Sequence, residues 1–282
     1  MTEAVPDEAA GAPSPARWAL IVPVKPASVG KSRLVVPGVA REELARAIAL
    51  DTLAAAAAAA RVNEIVIVTD DEGVRAAAAP RPAADDGGAD AAAGENRWTA
   101  GRTPDDAGAR TEVVRLGQAE TTSDGGGART ARVTLVADPG RGLNAAIAAG
   151  LAAAGSPLRA AMLGDLPALR PADLDAALAR AEEVGAAGAG ASEARSSAGD
   201  PTGARIALAV ADADGTGTTL LAHAHPDLLR FGADSYARHL AAGALPLEVP
   251  ASSTLRRDVD TAAHLDAARA LGVGPRTSAL LD

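Results

Sequence analysis

The chain has 282 residues, of which 48% are hydrophobic and only 1% are aromatic, and its formal net charge is -9. This length suits one large domain or two small ones, with a core built mainly from Ala, Val, Leu and Ile. Nucleic acid requires a basic face, so an acidic chain predicts no nucleic-acid partner. The absence of cysteine excludes disulfides, thiolate metal sites and a cysteine nucleophile. No apolar run approaches the length of a membrane span, which predicts no membrane partner and a cytoplasmic location.

Three segments of low complexity stand apart from the rest of the chain. Residues 1–16 are mostly Ala, Pro, Asp and Glu without a period, which predicts a disordered tail. Residues from about 80 to 132 and from about 185 to 204 have few large apolar residues and no period. We interpret them as insertions into one domain that spans residues 17–282, with Glu112–Leu116 as at most a stray strand.

Short apolar runs alternate with helical patterns along the remaining chain. Strands are predicted at 18–24, 64–71, 133–136, 160–163, 206–211 and 245–249, the last one interrupted by Pro and therefore placed at an edge. Helices are predicted at 41–61, 72–79, 143–154 and 171–184, and further helices begin near 236 and 261. This alternation favours an α/β fold in which right-handed crossovers join parallel strands.

A basic loop follows the first predicted strand. It contains Lys25, Lys31 and Arg33, which could neutralise a triphosphate at the carboxyl end of that strand. Gly30-Lys31-Ser32 invites comparison with a P-loop, but that motif needs a glycine where this chain has Lys25. A solvated basic loop is the alternative interpretation.

Carboxylates follow several predicted strands. Asp165 comes directly after the run 160–163, where ligands bind in open α/β sheets and where a carboxylate could hold a metal ion. A helix cap is the alternative for Asp165, and it is the preferred interpretation for Asp70 and Asp71. Asp258-Val259-Asp260 has a spacing that suits Mg2+, although Asp212-Ala213-Asp214 is a second triplet of the same kind.

Three polar segments lie next to predicted helices or strands. Asn144 follows a glycine-rich turn and could offer both a donor and an acceptor to a nucleobase. The run 215–219 is too polar for a helix interior and too small for a core strand, so we expect its hydroxyls and amides to surround an anion. Gly232 and Ser235 precede the helix near 236, where Ser235 could be a helix cap or an anion ligand.

Taken in chain order, these segments resemble one family, the guanylyltransferases of coenzyme F-420 biosynthesis that activate phosphoenolpyruvate or 2-phospho-L-lactate. The matching segments are Val24-Lys25, Lys31-Ser32-Arg33-Leu34, Asp138-Pro139, Leu143-Asn144-Ala145-Ala146-Ile147, Gly164-Asp165-Leu166-Pro167-Ala168-Leu169, Gly215-Thr216-Gly217-Thr218, Arg230-Phe231-Gly232-Ala233-Asp234-Ser235 with Arg238-His239, and Asp258-Val259-Asp260-Thr261. They span residues 18–275. The two predicted insertions depart from the compact members of the family.

The resemblance implies a single nucleotidyltransferase-type domain, GT-A-like and Rossmann-like, with a mostly parallel central sheet flanked by helices. It also implies Mg2+ as cofactor and GTP as a substrate. Carried over residue by residue, it implies that Thr218, Gly232 and Ser235 bind phosphoenolpyruvate and that Asp165, Asp258 and Asp260 bind Mg2+. It implies that the nucleotide is bound by Lys25, Lys31, Arg33, Asn144 and Gly164. The catalytic residues that it implies are Asp165, Lys25 and Lys31.

The implied reaction is attack of the acceptor's phosphate on the α-phosphorus of GTP, with release of diphosphate and without a side-chain nucleophile. With phosphoenolpyruvate the product is enolpyruvyl-diphospho-5'-guanosine, which a downstream transferase would accept. The alternative acceptors are 2-phospho-L-lactate and 3-phosphoglycerate. A Mg2+-dependent glycosyltransferase of similar fold and a non-catalytic nucleotide-binding module are the alternative functions, and both a monomer and a homodimer stay open.

Overall fold

The computed structural model describes residues 17–31, 33–78, 98–100, 112–116, 131–193 and 206–282, with the backbone alone in 98–100, 112–116 and 186–193. The predicted tail 1–16 lies outside the described residues. So do most of the predicted insertion from about 80 to 132 and residues 194–204 of the second one.

A nine-stranded sheet forms the centre of the described chain, in the order β3-β4-β5-β2-β1-β6-β8-β7-β9. The strands are β1 Trp18–Pro23, β2 Val62–Val68, β3 Trp98–Ala100, β4 Glu112–Leu116, β5 Arg132–Val136, β6 Leu158–Met162, β7 Leu208–Ala211, β8 Thr218–Ala222 and β9 Leu245–Pro246. The four central strands β5, β2, β1 and β6 run parallel. The predicted α/β class and its parallel central sheet are thereby confirmed, as is the edge position of β9.

Helices cover both faces of the sheet. They are α1 Arg41–Ala58, α2 Glu72–Ala78, α3 Leu143–Ala153, α4 Pro171–Glu193, α5 Ser235–Ala241, α6 Ala262–Leu271 and α7 Pro275–Leu281, with single 3-10 turns at Pro226–Leu228 and Thr254–Arg256. Among the described residues, the helices are too short or too polar to cross a membrane.

Successive side chains of the central strands point to opposite faces of the sheet and pack into two separate apolar layers. On one face, Leu20 and Val22 of β1 pack with Leu53 of α1 and Leu178 of α4. On the other, Ile21 packs with α3. A Cβ on Gly150 of α3 would lie 2.5 Å from Ile21 Cγ2 and 2.9 Å from Val68 Cγ2. Helix α3 therefore lies so close to the sheet that only glycine fits there, a packing suited to a chain poor in aromatic residues.

Three expectations about secondary structure were wrong. Thr218–Ala222 is a completely buried strand, because its backbone pairs antiparallel with both β6 and β7. Helix α4 continues to Glu193, so the second low-complexity segment begins as a helix. Helix α5 begins at Ser235, and its N-cap position is occupied by Asp234 rather than by Ser235.

Glu112–Leu116 does form a strand, and it pairs antiparallel with β5.

Candidate active site

The sheet topology gathers the predicted site residues at one edge. The carboxyl ends of the parallel strands β1 and β6 meet there, and the antiparallel order of β7 and β8 brings the end of β7 and the start of β8 to the same edge. A cavity of about 610 Å³ opens at this edge. Its lining includes every predicted site residue except Asn144: Lys25, Lys31, Arg33, Gly164, Asp165, Thr218, Gly232, Ser235, Asp258 and Asp260.

Lys31 links two of the predicted metal ligands. Its ammonium group donates a hydrogen bond to Asp165 Oδ2 and another, of 2.9 Å, to Asp260 Oδ1. Only 12% of the Lys31 side chain is exposed. Burial acts to lower the pKa of Lys31, but the carboxylates of Asp165 and Asp260 outweigh it and raise that pKa above its usual value. Lys31 is therefore a fixed positive charge inside the cavity, which contradicts the solvated-loop alternative for this residue.

Asp258 experiences the opposite electrostatic environment. Burial, together with the neighbouring carboxylates of Asp165, Asp212 and Asp260, raises the pKa of Asp258 to about 7. The pKa of Asp260, which burial acts to raise, is lowered because Lys31 lies beside it. The acidic side of the cavity thus holds more negative charge than Lys31 alone neutralises.

Two of the carboxylates in the cavity, Asp165 and Asp258, fit a Mg2+ ion. The described residues contain no group of three or more His, Cys, Asp or Glu side chains arranged to hold a metal ion. However, Mg2+ commonly uses only one or two protein carboxylates and completes its shell with substrate phosphates and water. Asp165 Oδ1 is buried and has no hydrogen-bond partner among the described residues, and Asp258 lies among other carboxylates. These two residues fit such an ion, and Lys31 bonds the other oxygen of Asp165, Oδ2, as well as Oδ1 of Asp260.

Two side chains hold the basic loop in place. Asp71 accepts a hydrogen bond from the Ala27 amide at 2.8 Å and from Arg46 Nε at 2.8 Å, and it also caps α2 through the Val74 amide. The helix-cap interpretation of Asp71 is thereby confirmed. Arg41 donates hydrogen bonds to the carbonyls of Ser28 and Gly30. Since α1 begins only at Arg41, the loop is not followed directly by a helix, which agrees with the rejection of a P-loop from the sequence.

A second group of polar side chains lies where β8 begins. The Ser235 hydroxyl oxygen accepts a hydrogen bond of 2.8 Å from the Thr218 amide, and Thr218 Oγ1 lies 2.9 Å from His239 Nδ1. Both residues are buried, and Gly232 beside them has a φ of 128° that glycine tolerates best. Ser235 thus uses its oxygen as an acceptor within the fold, and so does Thr218, because the Arg230 amide donates to Nε2 of His239 and leaves the hydrogen of the neutral ring on Nδ1. In the part of the chain that is described, their hydroxyl hydrogens and the Gly232 amide have no acceptor.

Two predicted nucleotide ligands have structural contacts instead. The Asn144 side chain donates to the Phe231 carbonyl at 3.1 Å and accepts from the Phe231 amide at 2.9 Å, so its amide group fastens the Phe231 loop to α3. A Cβ on Gly164 would lie 3.2 Å from the Pro23 carbonyl oxygen, so this glycine permits close packing of the ends of β1 and β6. Whether either residue also contacts a nucleotide stays a prediction, and so do the ligand roles of the other site residues.

Two residues of the site received no role in the sequence analysis. Asp212, at the end of β7, accepts hydrogen bonds from the amides of Thr216 and Gly217 and so shapes the turn before Thr218. His239 contacts Thr218 from α5. The Asp212-Ala213-Asp214 triplet and the pair Arg238-His239 were visible in the sequence, but the turn and helix contacts that explain them were not.

Two relatives that match nearly the whole chain carry the same name. The chain is 36% identical over 274 residues to a phosphoenolpyruvate guanylyltransferase of Streptomyces coelicolor, covering 94% of this chain and 95% of the relative. It is 38% identical over 272 residues to a protein of the same name from Streptomyces scabiei, covering 93% and 95%. No family model matches the chain.

A solved structure of a CMP:2-keto-3-deoxy-manno-octonic acid synthetase complexed with CTP is similar at 13% identity. Its TM-score is 0.40, and the match covers 91% of this chain and 98% of the other.

Proposed function

The chain belongs to the phosphoenolpyruvate guanylyltransferase family, and from this premise we propose that it transfers the guanylyl group of GTP to phosphoenolpyruvate. One observation carries the proposal. One cavity is lined by the fixed positive charge of Lys31, by carboxylates, and by hydroxyl and amide donors that have no acceptor among the described residues. Such a cavity suits two anionic substrates that must meet.

The nucleotide is assigned to the part of the cavity that the basic loop lines. Lys25 and Arg33 are exposed there and Lys31 is buried among carboxylates, so the three cations can interact with a triphosphate. The transition state of phosphoryl transfer carries charge on the equatorial oxygens of the α-phosphorus, and fixed cations stabilise that charge. The phosphate of the acceptor attacks this phosphorus, the bond to the bridging oxygen breaks, and diphosphate leaves.

Mg2+ is the implied cofactor, and Asp165 and Asp258 are the residues that would hold it. When bound, the ion would neutralise charge on the phosphates and orient them for in-line displacement. In this proposal, the role of Lys31 is to hold the carboxylates of Asp165 and Asp260 in place, because its ammonium bonds both of them.

The acceptor is assigned to Thr218, Gly232 and Ser235. Phosphoenolpyruvate carries a carboxylate and a phosphate, and both anions accept hydrogen bonds. The hydroxyls of Thr218 and Ser235 and the amide of Gly232 are donors with no acceptor among the described residues. An anion bound there would satisfy the two buried hydroxyl donors that the fold leaves open, which is a source of selectivity for an acidic acceptor.

The experiment that tests this function is diphosphate release from GTP. Purified protein with Mg2+ should release diphosphate when phosphoenolpyruvate is present and should release none without an acceptor. Replacing phosphoenolpyruvate by 2-phospho-L-lactate or 3-phosphoglycerate in parallel reactions ranks the acceptors. Turnover of a sugar nucleotide instead of GTP would indicate a glycosyltransferase, and GTP binding without any product would indicate a binding module.

Several broader expectations rest on the same proposal. The activated product would serve coenzyme F-420 biosynthesis in the cytoplasm and would be consumed by a downstream transferase. A homodimer is the expected alternative to a monomer. Sedimentation of the purified protein would decide the oligomeric state.

A further inference from the structure

His239 is a buried side chain with contacts on both ring nitrogens. It is fully shielded from solvent, near the end of α5. Its Nε2 lies 3.0 Å from the Arg230 amide nitrogen, which donates to it, and its Nδ1 lies 2.9 Å from Thr218 Oγ1. The ring also packs edge-on against Phe231, with centroids 4.7 Å apart. These contacts fix the imidazole in one orientation next to the proposed acceptor site.

The contacts also determine where the imidazole carries its proton. A backbone amide can only donate, so Nε2 must be the unprotonated nitrogen that accepts from Arg230. A neutral imidazole then has its hydrogen on Nδ1. The neutral state is favoured because burial, together with the nearby charges of Arg230 and Arg238, lowers the pKa of His239 to about 4, although the Ser235 carbonyl acts to raise it. His239 is therefore a neutral donor at Nδ1.

This proton position sets the orientation of the neighbouring hydroxyl. Because Nδ1 carries a hydrogen, Thr218 Oγ1 must accept from it and cannot donate to it. No other described residue accepts the hydroxyl hydrogen of Thr218, and Thr218 lines the cavity. The hydrogen is therefore left for a ligand in the cavity.

We propose that His239 is a positioning residue that holds the Thr218 hydroxyl as a donor to the anionic acceptor. This inference rests on the proposed function, since it needs an anion at Thr218. His239 itself does not touch the acceptor. The Nδ1 of His239 donates a hydrogen bond to the oxygen of Thr218, and the Arg230 amide donates to Nε2 and so fixes the tautomer of His239.

Two substitutions of His239 separate positioning from folding. His239→Gln places an amide oxygen near the former Nε2, where it can accept from the Arg230 amide, but it removes the Nδ1 donor. His239→Asn reaches only as far as the former Nδ1, so it can donate to Thr218 while it leaves the Arg230 amide unpaired. Thr218→Val removes the hydroxyl itself, and the double variant His239→Gln with Thr218→Val completes a cycle.

The measurement is phosphoenolpyruvate affinity, by calorimetric titration and as KM in the diphosphate assay, with the full chain. We expect His239→Gln to remain folded and to weaken phosphoenolpyruvate binding about ten- to hundredfold, the loss expected for one hydrogen bond to a charged group. The KM for GTP should change by less than about twofold. His239→Asn should retain more phosphoenolpyruvate affinity than His239→Gln, and the double variant should bind no worse than Thr218→Val alone.

Three outcomes would overturn the inference. The first is unchanged phosphoenolpyruvate affinity in a folded His239→Gln protein, and the second is an equal loss of affinity for GTP in that variant. The third is a double variant whose loss of phosphoenolpyruvate affinity equals the product of the losses in the two single variants. Nitrogen-15 shifts of His239 that place the proton on Nε2 would overturn it as well. Calorimetry separates this failure from failure of the proposed function. Phosphoenolpyruvate that binds without diphosphate release would refute the reaction but still test His239, and an absence of phosphoenolpyruvate binding would refute both.

Discussion

Ser235 is the residue at which substrate binding and fold stability can be told apart. Its hydroxyl oxygen accepts from the Thr218 amide at 2.8 Å, and its hydrogen is assigned to the acceptor. Replacing Ser235 by Ala removes both interactions with little change in volume. The effects on binding and on stability should therefore appear together but in different measurements.

The magnitude of each effect follows from the type of bond that is lost. One hydrogen bond to an anion contributes about 1.5–3 kcal/mol, which corresponds to a roughly ten- to hundredfold rise in the acceptor's KM. The Thr218 amide is left buried without an acceptor, at a cost of about 1–3 kcal/mol in the free energy of unfolding. For a domain of this size, each kcal/mol lowers Tm by about 2–4 °C.

Steady-state kinetics with each substrate varied in turn, together with thermal unfolding, would check Ser235→Ala. The KM for GTP should stay within about twofold of the original value. An equal loss for both substrates would give Ser235 a purely structural role, and a loss for GTP alone would place the nucleotide where the acceptor is now assigned. An unchanged Tm would contradict the hydrogen bond to the Thr218 amide.

Three further substitutions test other parts of the site and the fold. Asp165→Asn keeps the side-chain volume but removes the charge that is assigned to Mg2+ binding, so we expect turnover to fall at least about a hundredfold in folded protein. The control is Asp227→Asn, because Asp227 is exposed. Near-normal turnover of Asp165→Asn with unchanged Mg2+ dependence would contradict the assignment. Thr219→Val replaces a buried hydroxyl that has no partner among the described residues, so both KM values should be unchanged and the free energy of unfolding equal or higher by about 1 kcal/mol in chemical denaturation. His239 has a folded pKa of about 4 against 6.5 in the unfolded chain, so its contribution to stability is complete above pH 6.5 and falls by roughly 3 kcal/mol as the pH drops to 4. The unfolding free energy of His239→Gln should accordingly fall less between pH 7 and pH 4.5 than that of the original protein, and parallel curves would contradict the lowered pKa.

Local sequence patterns were sufficient for the central sheet and for the positions of its acidic and basic residues. The apolar run of β1 and the run before Gly164 and Asp165 are strands because they are continuous and end at residues that stop a strand. Since parallel strands place their carboxyl ends at one edge, Lys31 and Asp165 could be expected to lie near each other. Their direct ion pair agrees with that expectation.

Long-range pairing decided what the local patterns could not. Thr218–Ala222 begins with small polar residues and resembles a loop in isolation, but hydrogen bonds to β6 and β7 make it a buried strand. Asn144 has the donor and acceptor that a base needs, yet the backbone of Phe231, 87 positions away along the chain, bonds to both. The role of His239 depends on Arg230 and Thr218, which meet only after α5 packs beside β8. A polar side chain's chemistry is set by its residue type, whereas its partner is set by the packing of distant segments, and only the tertiary structure contains that information.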